Sequence, residues 1–226
     1  NIYYTGVGTV PIRMGNPELK WQRVLKNNFG LDMTLFKERL VIGFDYFRNT
    51  TKDQLMSIPL PASTGAEDIT VNFGENQNVG YEFSVAAQVI RSKNWAWTTV
   101  INGSHVKDRI NRISTTLKNT SYQIEEDSPL RLRFREGGSQ YDIYAVRSAG
   151  IDPATGQEIF IDRNGEYTFR YDADDEVVVG NTQPKLQGTW LNTLRYKGWS
   201  LNLVFSYKFG GDTYNKTLYS LDQSGF

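Results

Sequence analysis

Hydrophobic and polar residues alternate along this chain over unusually long stretches. In residues 78–90 (NVGYEFSVAAQVI), Tyr81, Phe83 and Val85 lie on one side of an extended chain and Glu82 lies on the other, because successive strand side chains point to opposite faces. Strands of globular proteins usually have about 5–6 residues, and this alternation continues for about twice that length. The pattern predicts a long strand with one apolar and one polar face.

The same alternation occurs in pairs of segments and predicts three β-hairpins. In each pair the apolar side chains share one face, as they do for Leu31, Met33 and Leu35 in the first strand. The predicted strands are 25–36, 40–49, 78–90, 95–106, 188–196 and 199–209. This repetition predicts an all-β fold of antiparallel, up-and-down strands.

Short and long connections alternate along the chain. Short turns are predicted at 37–39, 92–94 and 197–198, whereas long polar segments cover about 51–77 and 107–186. The prolines and glycine of PLPASTG predict irregular backbone in the first long segment. Short turns on one rim and long loops on the other are typical of an outer-membrane β-barrel, and a loop as long as the second is unusual in a compact soluble domain.

A membrane barrel explains why each strand has two different faces. Lipid cannot satisfy an open strand edge, so the sheet must close, with apolar faces towards lipid and polar faces towards a wet lumen. Asp32, Asp45 and Glu82 are predicted to face the lumen and to contact either a plug or a passing ligand. The residues predicted to face lipid are Phe29, Leu31, Phe44, Tyr81, Phe83, Val85, Leu201, Leu203 and Phe205.

Aromatic residues cluster where the predicted strands meet the short turns. They are Phe36, Trp95, Trp97, Tyr196 and Trp199. Amphipathic rings favour the level of the lipid headgroups, so these residues fit an interfacial girdle. Ordinary cross-strand packing in a soluble sheet is the alternative.

Composition excludes several classes of protein. The 226 residues include 25 Lys+Arg and 25 Asp+Glu, so no overall basic field exists to attract nucleic acid. Cysteine is absent, which excludes disulfides and cysteine-based zinc sites. The mean hydropathy of -0.49 is compatible with a soluble protein, but a membrane barrel also looks polar on average because only alternate residues face lipid.

Enzymatic chemistry finds little support in the sequence. His105 is the only histidine; a lone histidine near a strand end is more often a polar strand residue than a base, and no nucleophile elbow is present. The carboxylate runs at Glu125–Asp127 and Asp172–Glu176 lie in polar, loop-like chain. We therefore expect solvated loops there instead of a glycosidase pair.

No cofactor is expected, although a calcium ion in a loop remains open. Asp162, Asn164 and Gly165 begin with the spacing of a calcium loop, but the twelfth position is Ala173, which cannot supply the bidentate ligand of an EF-hand. An irregular calcium site in this loop stays an alternative.

Aromatic residues in the second long segment are candidates for ligand binding. They are Tyr141, Tyr144, Phe160, Tyr167, Phe169 and Tyr171. Rings with acids and amides nearby suit sugars or peptides. The alternative is that they pack the loop onto itself or onto a partner protein.

Several stretches in the same order resemble SusC/RagA-type TonB-dependent outer-membrane transporters. They extend over nearly the whole chain and are Asn16–Trp21, Asn27–Asp32, Phe44–Leu55, Pro59–Gly65, Asn72–Ser84, Gly150–Gly165, Val177–Gly188 and Tyr207–Asn215. The chain departs from the family mostly in its loops, where ligand choice should reside.

The resemblance implies that residues 1–226 are the later part of one transporter barrel, short of its last strands. A signal segment, a TonB-contacting segment and a lumen-filling plug are expected in the rest of a longer protein. The family implies outer-membrane import of glycans or oligopeptides, captured with a SusD-like surface lipoprotein and powered by the TonB complex. The alternatives are a secreted all-β carbohydrate-binding module, whose strands would pack against a second sheet, and a soluble glycoside hydrolase.

Overall fold

A computed structural model of the chain describes residues 13–60, 62–114, 121–123, 131–215, 217–218 and 221. The strands are β1 (Arg13–Met14), β2 (Arg23–Leu35), β3 (Leu40–Pro59), β4 (Asp68–Arg91), β5 (Trp95–Ile113), β6 (Ser121–Gln123), β7 (Arg131–Arg133), β8 (Asp142–Ala145), β9 (Arg147–Ile151), β10 (Glu158–Ile161), β11 (Tyr167–Thr168), β12 (Val177–Asn181), β13 (Leu186–Tyr196) and β14 (Trp199–Phe209). Short 3₁₀ turns cover Ala62–Thr64 and Ala173–Asp175. No helix in the described ranges has the length and apolarity needed to cross a membrane. The predicted all-β class is confirmed.

The main sheet is a twisted meander with the spatial order β14-β13-β5-β4-β3-β2, and every neighbouring pair on this path is antiparallel. The three predicted hairpins are β2–β3, β4–β5 and β13–β14. Their turns all lie at one end of the sheet, where the backbone N–H of Gln88 donates to the Arg39 carbonyl and that of Lys197 donates to the Asn94 carbonyl. This short-turn rim is therefore continuous from β3 to β13.

At the opposite rim the strands run further than predicted. β3 reaches Pro59, and β4 already begins at Asp68, so much of the long loop predicted at about 51–77 is strand. The irregular backbone predicted for PLPASTG is limited to the connection between these two strands. Bulges at Asp53 (φ 52°) and Gly74 (φ 144°) interrupt the register without ending the strands. Because Pro59 is the last residue of β3, its missing N–H removes no bond from the interior of the ladder.

A compact hydrophobic core lies at this extended rim and not in the meander below it. Its buried members are Ile58, Phe73, Ile110, Ile113 and Phe134. The rings of Phe73 and Phe134 meet edge to face with centroids 4.9 Å apart. The outer ends of β3, β4 and β5 thus pack together with Phe134 around a small core.

The second long segment, 107–186, contains ordered sheet as well as loop. β5 continues to Ile113, and two small sheets follow, with the strand orders β12-β8-β7-β6 and β11-β10-β9. We call residues 147–171, which contain β9, β10 and β11, the hairpin arm. The arm is tied to the 3₁₀ turn by an ion pair of 3.3 Å between Arg163 Nε and Asp175 Oδ1. The carboxylate run Glu125–Asp127 lies outside the described residues.

Candidate functional site

The polar face of the meander carries a cluster of three carboxylates. Asp45 and Glu82 are direct cross-strand partners, and Asp32 lies diagonally opposite, paired with Gly43. A Cβ atom on Gly30 would lie 2.7 Å from Asp45 Oδ1, and one on Gly43 would lie 3.2 Å from Asp32 Oδ1. The glycines therefore give both carboxylates room to lie against the sheet. In the described part of the chain none of the three forms an ion pair.

Amides and hydroxyls continue this polar face across the next strands. Ser84 Oγ donates to Asn102 Oδ1 at 2.8 Å, and Asn102 Nδ2 donates to Thr189 Oγ1 at 3.3 Å. Together with the carboxylates they line a groove of about 420 Å³. The sequence prediction named the three acids but not this polar ladder, although the alternation in β5 and β13 contains the same signal.

The opposite face of the sheet is apolar, and all nine residues predicted to face lipid lie on it. Its side chains pack across strands, for example Phe44 against Tyr81 with ring centroids 6.3 Å apart and Trp190 against Phe205 at 5.5 Å. No second layer of described residues covers it, and Phe29 remains 64% exposed. Contact of this face with lipid stays a prediction.

The apolar face contains no Asp, Glu, Lys or Arg in four consecutive cross-strand rows. These rows run from the one that pairs Leu35 with Leu40 to the one that pairs Phe29 with Tyr46. His105 is the one histidine in them; its Nδ1 lies 2.6 Å from the Lys185 carbonyl oxygen. Because β5 extends to Ile113, His105 lies inside the strand, and its predicted position near the strand end was wrong.

Aromatic side chains gather on the short-turn rim, as predicted. The Trp95 and Tyr196 rings lie 4.3 Å apart, and Lys197 Nζ lies 5.2 Å from the centre of the Tyr196 ring. Trp199 is 82% exposed and Phe36 72% exposed. The arrangement is compatible both with an interfacial girdle and with cross-strand packing.

Tyr144 must be removed from the predicted set of ligand-binding aromatics. It is only 3% exposed because it lies in β8, a central strand of its sheet. The Arg135 guanidinium lies 5.2 Å from the centre of its ring. A ring covered in this way has no free face for a ligand, so Tyr144 is a packing residue.

The remaining predicted aromatics are divided between two places. Phe160, Tyr167, Phe169 and Tyr171 belong to the hairpin arm, where Phe160 and Tyr171 meet edge to face at 5.5 Å. Tyr167 is 75% exposed. Tyr141 precedes β8 and does not belong to the arm. The arm also exposes apolar Ile151, which the sequence prediction missed because it searched for aromatic rings.

Two aspartates organise the tight turns of the arm. Asp152 accepts a hydrogen bond of 2.7 Å from Thr155 Oγ1, and this bond, followed by the one from the Ala154 N–H, lowers the pKa of Asp152. The pKa of Asp162 is lowered chiefly by the backbone N–H of Glu166. Both carboxylates therefore act as turn-stabilising acceptors.

Nothing in these turns adds support for a bound metal. Asp162 Oδ1 already accepts hydrogen bonds of 2.8 Å from the backbone N–H groups of Asn164 and Glu166. Over the described ranges, acidic and histidine side chains form no group of three or more that could hold a metal ion. The loop calcium stays a prediction.

Comparison with known families decides what kind of sheet this is. The sequence model of the family described as TonB dependent receptor-like, beta-barrel, matches residues 1–225. The chain belongs to this family. The resemblance predicted from the sequence is confirmed. This family assignment replaces the two alternatives, a secreted sandwich and a soluble hydrolase.

Curated members of the TonB-dependent receptor family align with most of the chain. TonB-dependent receptor P39 of Formosa agariphila is 28% identical over 94% of the chain, and P3 of the same organism is 30% identical over 95%. TonB-dependent receptor SusC of Bacteroides thetaiotaomicron is 25% identical over 90% of the chain. The chain spans 24%, 23% and 20% of the length of these relatives.

Solved structures agree with this assignment. The structure of the RagAB peptide transporter superposes on 87% of the chain with a TM-score of 0.72 and 27% sequence identity, and the chain covers 22% of that structure's chain. The RagAB peptide importer in its closed-closed state gives a TM-score of 0.71. The meander is therefore similar to part of a TonB-dependent barrel wall of the SusC/RagA type.

Proposed function

We propose that the protein to which this chain belongs imports a large nutrient across the outer membrane and that the chain forms part of its barrel wall. The observation that carries the proposal is the separation of the two faces of the meander. The register places uncharged, largely apolar side chains on one face and Asp32, Asp45 and Glu82 on the other. Such a wall suits lipid outside and a hydrated lumen inside.

The two rims give the proposed wall its orientation. The short turns at 36–39, 92–94 and 197–198 lie at one end, and the extended β3–β4 hairpin and the hairpin arm belong to connections at the other. In outer-membrane barrels the short turns are periplasmic and the long loops are extracellular. On this basis the arm is exposed to the medium, where a nutrient arrives.

The proposed ligand is a glycan or an oligopeptide. RagAB, 27% identical to the chain, is a peptide transporter by name, which favours a peptide. Exposed Tyr167, Phe169 and Tyr171 on the arm offer aromatic faces for either class of ligand. We propose a SusD-like lipoprotein as the partner over the long loops and the TonB complex as the energy source, acting through the plug.

No covalent chemistry is proposed for the chain. It belongs to a receptor family, and the carboxylates of its polar face lie along an open groove. They suit a lining that contacts a passing solute or the plug.

Uptake measurements in the native host test the proposal. The gene is deleted in frame and complemented with the full-length copy, and uptake of fluorescent oligopeptides and of fluorescent oligosaccharides is compared with that of a TonB-deficient strain. We expect one class to lose uptake in both mutants and to regain it on complementation. Unchanged uptake of both classes in the deletion strain, or uptake that persists without TonB, would overturn it.

A further inference from the structure

Basic side chains lie directly beyond the uncharged rows of the apolar face. The next cross-strand row pairs Arg48 with Val79 and Val79 with Lys107, and the row after it pairs Gln77 with Arg109. These positions share a face with Tyr46 and Tyr81, because the register is unbroken between them. We call Arg48, Lys107 and Arg109 the outer basic row.

The outer basic row is exposed and available to a ligand. All three side chains are exposed. The guanidinium of Arg48 donates to Gln77 Oε1 at 3.3 Å, and Lys107 and Arg109 form no ion pair in the part of the chain that the structure describes. Lys107 and Arg109 lie about 6.8 Å apart along β5, and Arg48 lies two strand spacings, about 9.6 Å, from Lys107 across β4. Three long side chains can span these separations and converge on one small anion.

Acids on the same face do not neutralise the row. Glu75 lies further out and accepts a hydrogen bond of 3.0 Å from Asn111 Nδ2. Asp53 pairs with Arg23 at 3.2 Å. Neither carboxylate contacts the outer basic row.

The aspartates near Lys107 and Arg109 accept hydrogen bonds from other groups. Asp108 is buried on the polar face, where its carboxylate accepts hydrogen bonds from Ser139 Oγ at 2.9 Å and the Gln140 N–H at 2.6 Å. Asp142 accepts from the Ser139 N–H, and Asp212 accepts from the Asn181 N–H at 2.8 Å. These carboxylates accept hydrogen bonds from neutral donors and, within the described residues, form no ion pair with Lys107 or Arg109, although all three line the same pocket as those two side chains.

The position of the row indicates what that anion is. Tyr46 and Tyr81, 44% and 38% exposed, belong to the outermost of the four uncharged rows and form an aromatic level next to the outer basic row. Hydrocarbon, aromatic level and basic level follow one another in the order of acyl chains, interface and headgroups. The level lies towards the long-loop rim, which is the outer-leaflet side.

We propose that the outer basic row binds the phosphate of an anionic lipid headgroup in the outer leaflet. The inference rests on the proposed function for the membrane setting of the sheet. Two arginines and a lysine suit phosphate, because the guanidinium fork donates two parallel hydrogen bonds and the ammonium adds a point charge. The bound lipid would anchor β3 and β5 at the level where the hairpin extension leaves the membrane.

Tryptophan quenching by brominated lipids tests the inference with the full-length protein. The protein is reconstituted in phosphatidylcholine vesicles that contain brominated phosphatidic acid or, in the parallel sample, brominated phosphatidylcholine. The ratio of the two quenching affinities measures the preference for a phosphate monoester. We expect a preference of at least about fivefold, which is the contribution of one basic residue near an anionic surface.

A matched pair of variants separates the row from overall charge. R48Q/K107Q/R109Q removes the row, and K26Q/R195Q/K208Q removes the same charge from the opposite face. We expect the preference to fall to near unity in the first variant and to persist in the second. The single variant Lys107→Gln, which should give an intermediate ratio, keeps the test valid if the triple variant fails to fold.

The other possible outcomes overturn either lipid binding by the row or the membrane setting of the sheet. Equal quenching by both lipids, or a preference that survives removal of the row, overturns lipid binding by the row and leaves the membrane wall intact. A change in oligomeric state without a change in lipid preference would mean that a second copy covers the row, which also overturns the inference. Absence of quenching by either lipid would overturn the membrane setting, and with it the basis of the proposed function.

Discussion

The Asn72 side chain binds both backbone polar groups of Lys20. Its Oδ1 accepts from the Lys20 N–H at 2.8 Å, and its Nδ2 donates to the Lys20 carbonyl at 2.9 Å, as the backbone of a neighbouring strand would. The same Nδ2 donates to the Asp53 carbonyl at 2.9 Å. Since β1 pairs with β4 while β2 pairs with β3, this contact fastens the crossing segment 15–22 over the β3–β4 hairpin.

Replacing Asn72 with Asp should release this segment. The carboxylate keeps the acceptor for Lys20 N–H but loses both donated bonds and faces two carbonyl oxygens. We expect a loss of about 1–3 kcal/mol in the free energy of unfolding and faster hydrogen exchange over residues 15–22. Asn28→Asp, an exposed position on the polar face of β2, is the matched control. Equal exchange in the two variants would contradict the role assigned to Asn72.

The two faces of β4 should differ in how strongly an added charge destabilises the protein. Phe83→Arg places a cation on the apolar face and should cost about 2–4 kcal/mol if the residue lies near the bilayer midplane. Ser84→Arg, one residue along the strand, places the same cation on the polar face and should cost much less. Urea unfolding of the full-length protein in phospholipid vesicles measures both. Similar costs would mean that lipid does not contact the Phe83 face.

Gly188 should not tolerate a side chain. A Cβ atom there would overlap the backbone oxygen of Asn102 and lie 2.6 Å from the Tyr207 hydroxyl oxygen. Gly188→Ala is expected to lower the free energy of unfolding by about 1–3 kcal/mol through overpacking. Gly198→Ala is the control, because a Cβ atom there meets no atom within 4 Å. A Gly188→Ala variant as stable as Gly198→Ala would show that β5 and β13 can separate at little cost.

The turn at Asp152 should weaken in acid. Its pKa is lowered in the folded state, first by the Thr155 hydroxyl, so its stabilisation is present above the unfolded pKa and is lost as the pH falls through the folded one. This loss is expected below about pH 4. Thr155→Val should raise the pKa of Asp152 towards its ordinary value. Carboxyl NMR of the aspartate-labelled full-length protein measures the shift, and an unchanged pKa would contradict the bond.

Alanine substitutions of the arm aromatics and of Tyr144 should have different effects. Tyr167→Ala and Phe169→Ala remove exposed rings, so we expect weaker ligand capture with unchanged stability. Tyr144→Ala empties a buried site and should instead cost about 3–5 kcal/mol, as other large aromatic truncations do. Uptake and urea unfolding, measured on the same variants, distinguish the two effects. Normal uptake in a Tyr167→Ala/Phe169→Ala double variant would exclude these rings from capture.

Sequence reasoning worked best where alternation is long. The strand containing Leu201 and Leu203 was predicted with the bounds that it has in the structure, because a period of two sustained over many residues leaves one register that keeps the apolar side chains together. Asp32, Asp45 and Glu82 share a face for the same reason. The separation of the meander into two faces therefore follows from the local pattern.

It failed where structure depends on contacts that the pattern does not encode. The continuation of β3 past Asp53 depends on a bulge, which shifts the period and hides the strand. Tyr144 lies in a four-residue strand, too short for alternation to indicate which side is buried. Its burial follows from the pairing of β8 with β12, a contact between distant parts of the sequence that a local pattern cannot predict.

The free sides of β2 and β14 have a consequence for how such a wall is made. In the described part of the chain these are the edge strands of the meander, and each has one row of backbone N–H and C=O groups without a strand partner. Unpaired groups of this kind are energetically unfavourable in hydrocarbon. Each hairpin of the meander pairs with the hairpin that precedes or follows it in this sheet, so the hairpins can be added in sequence order. Each new strand then forms hydrogen bonds with the free edge of the strand added before it. Biogenesis by sequential templating, with ring closure as its final step, is the route that this connectivity favours.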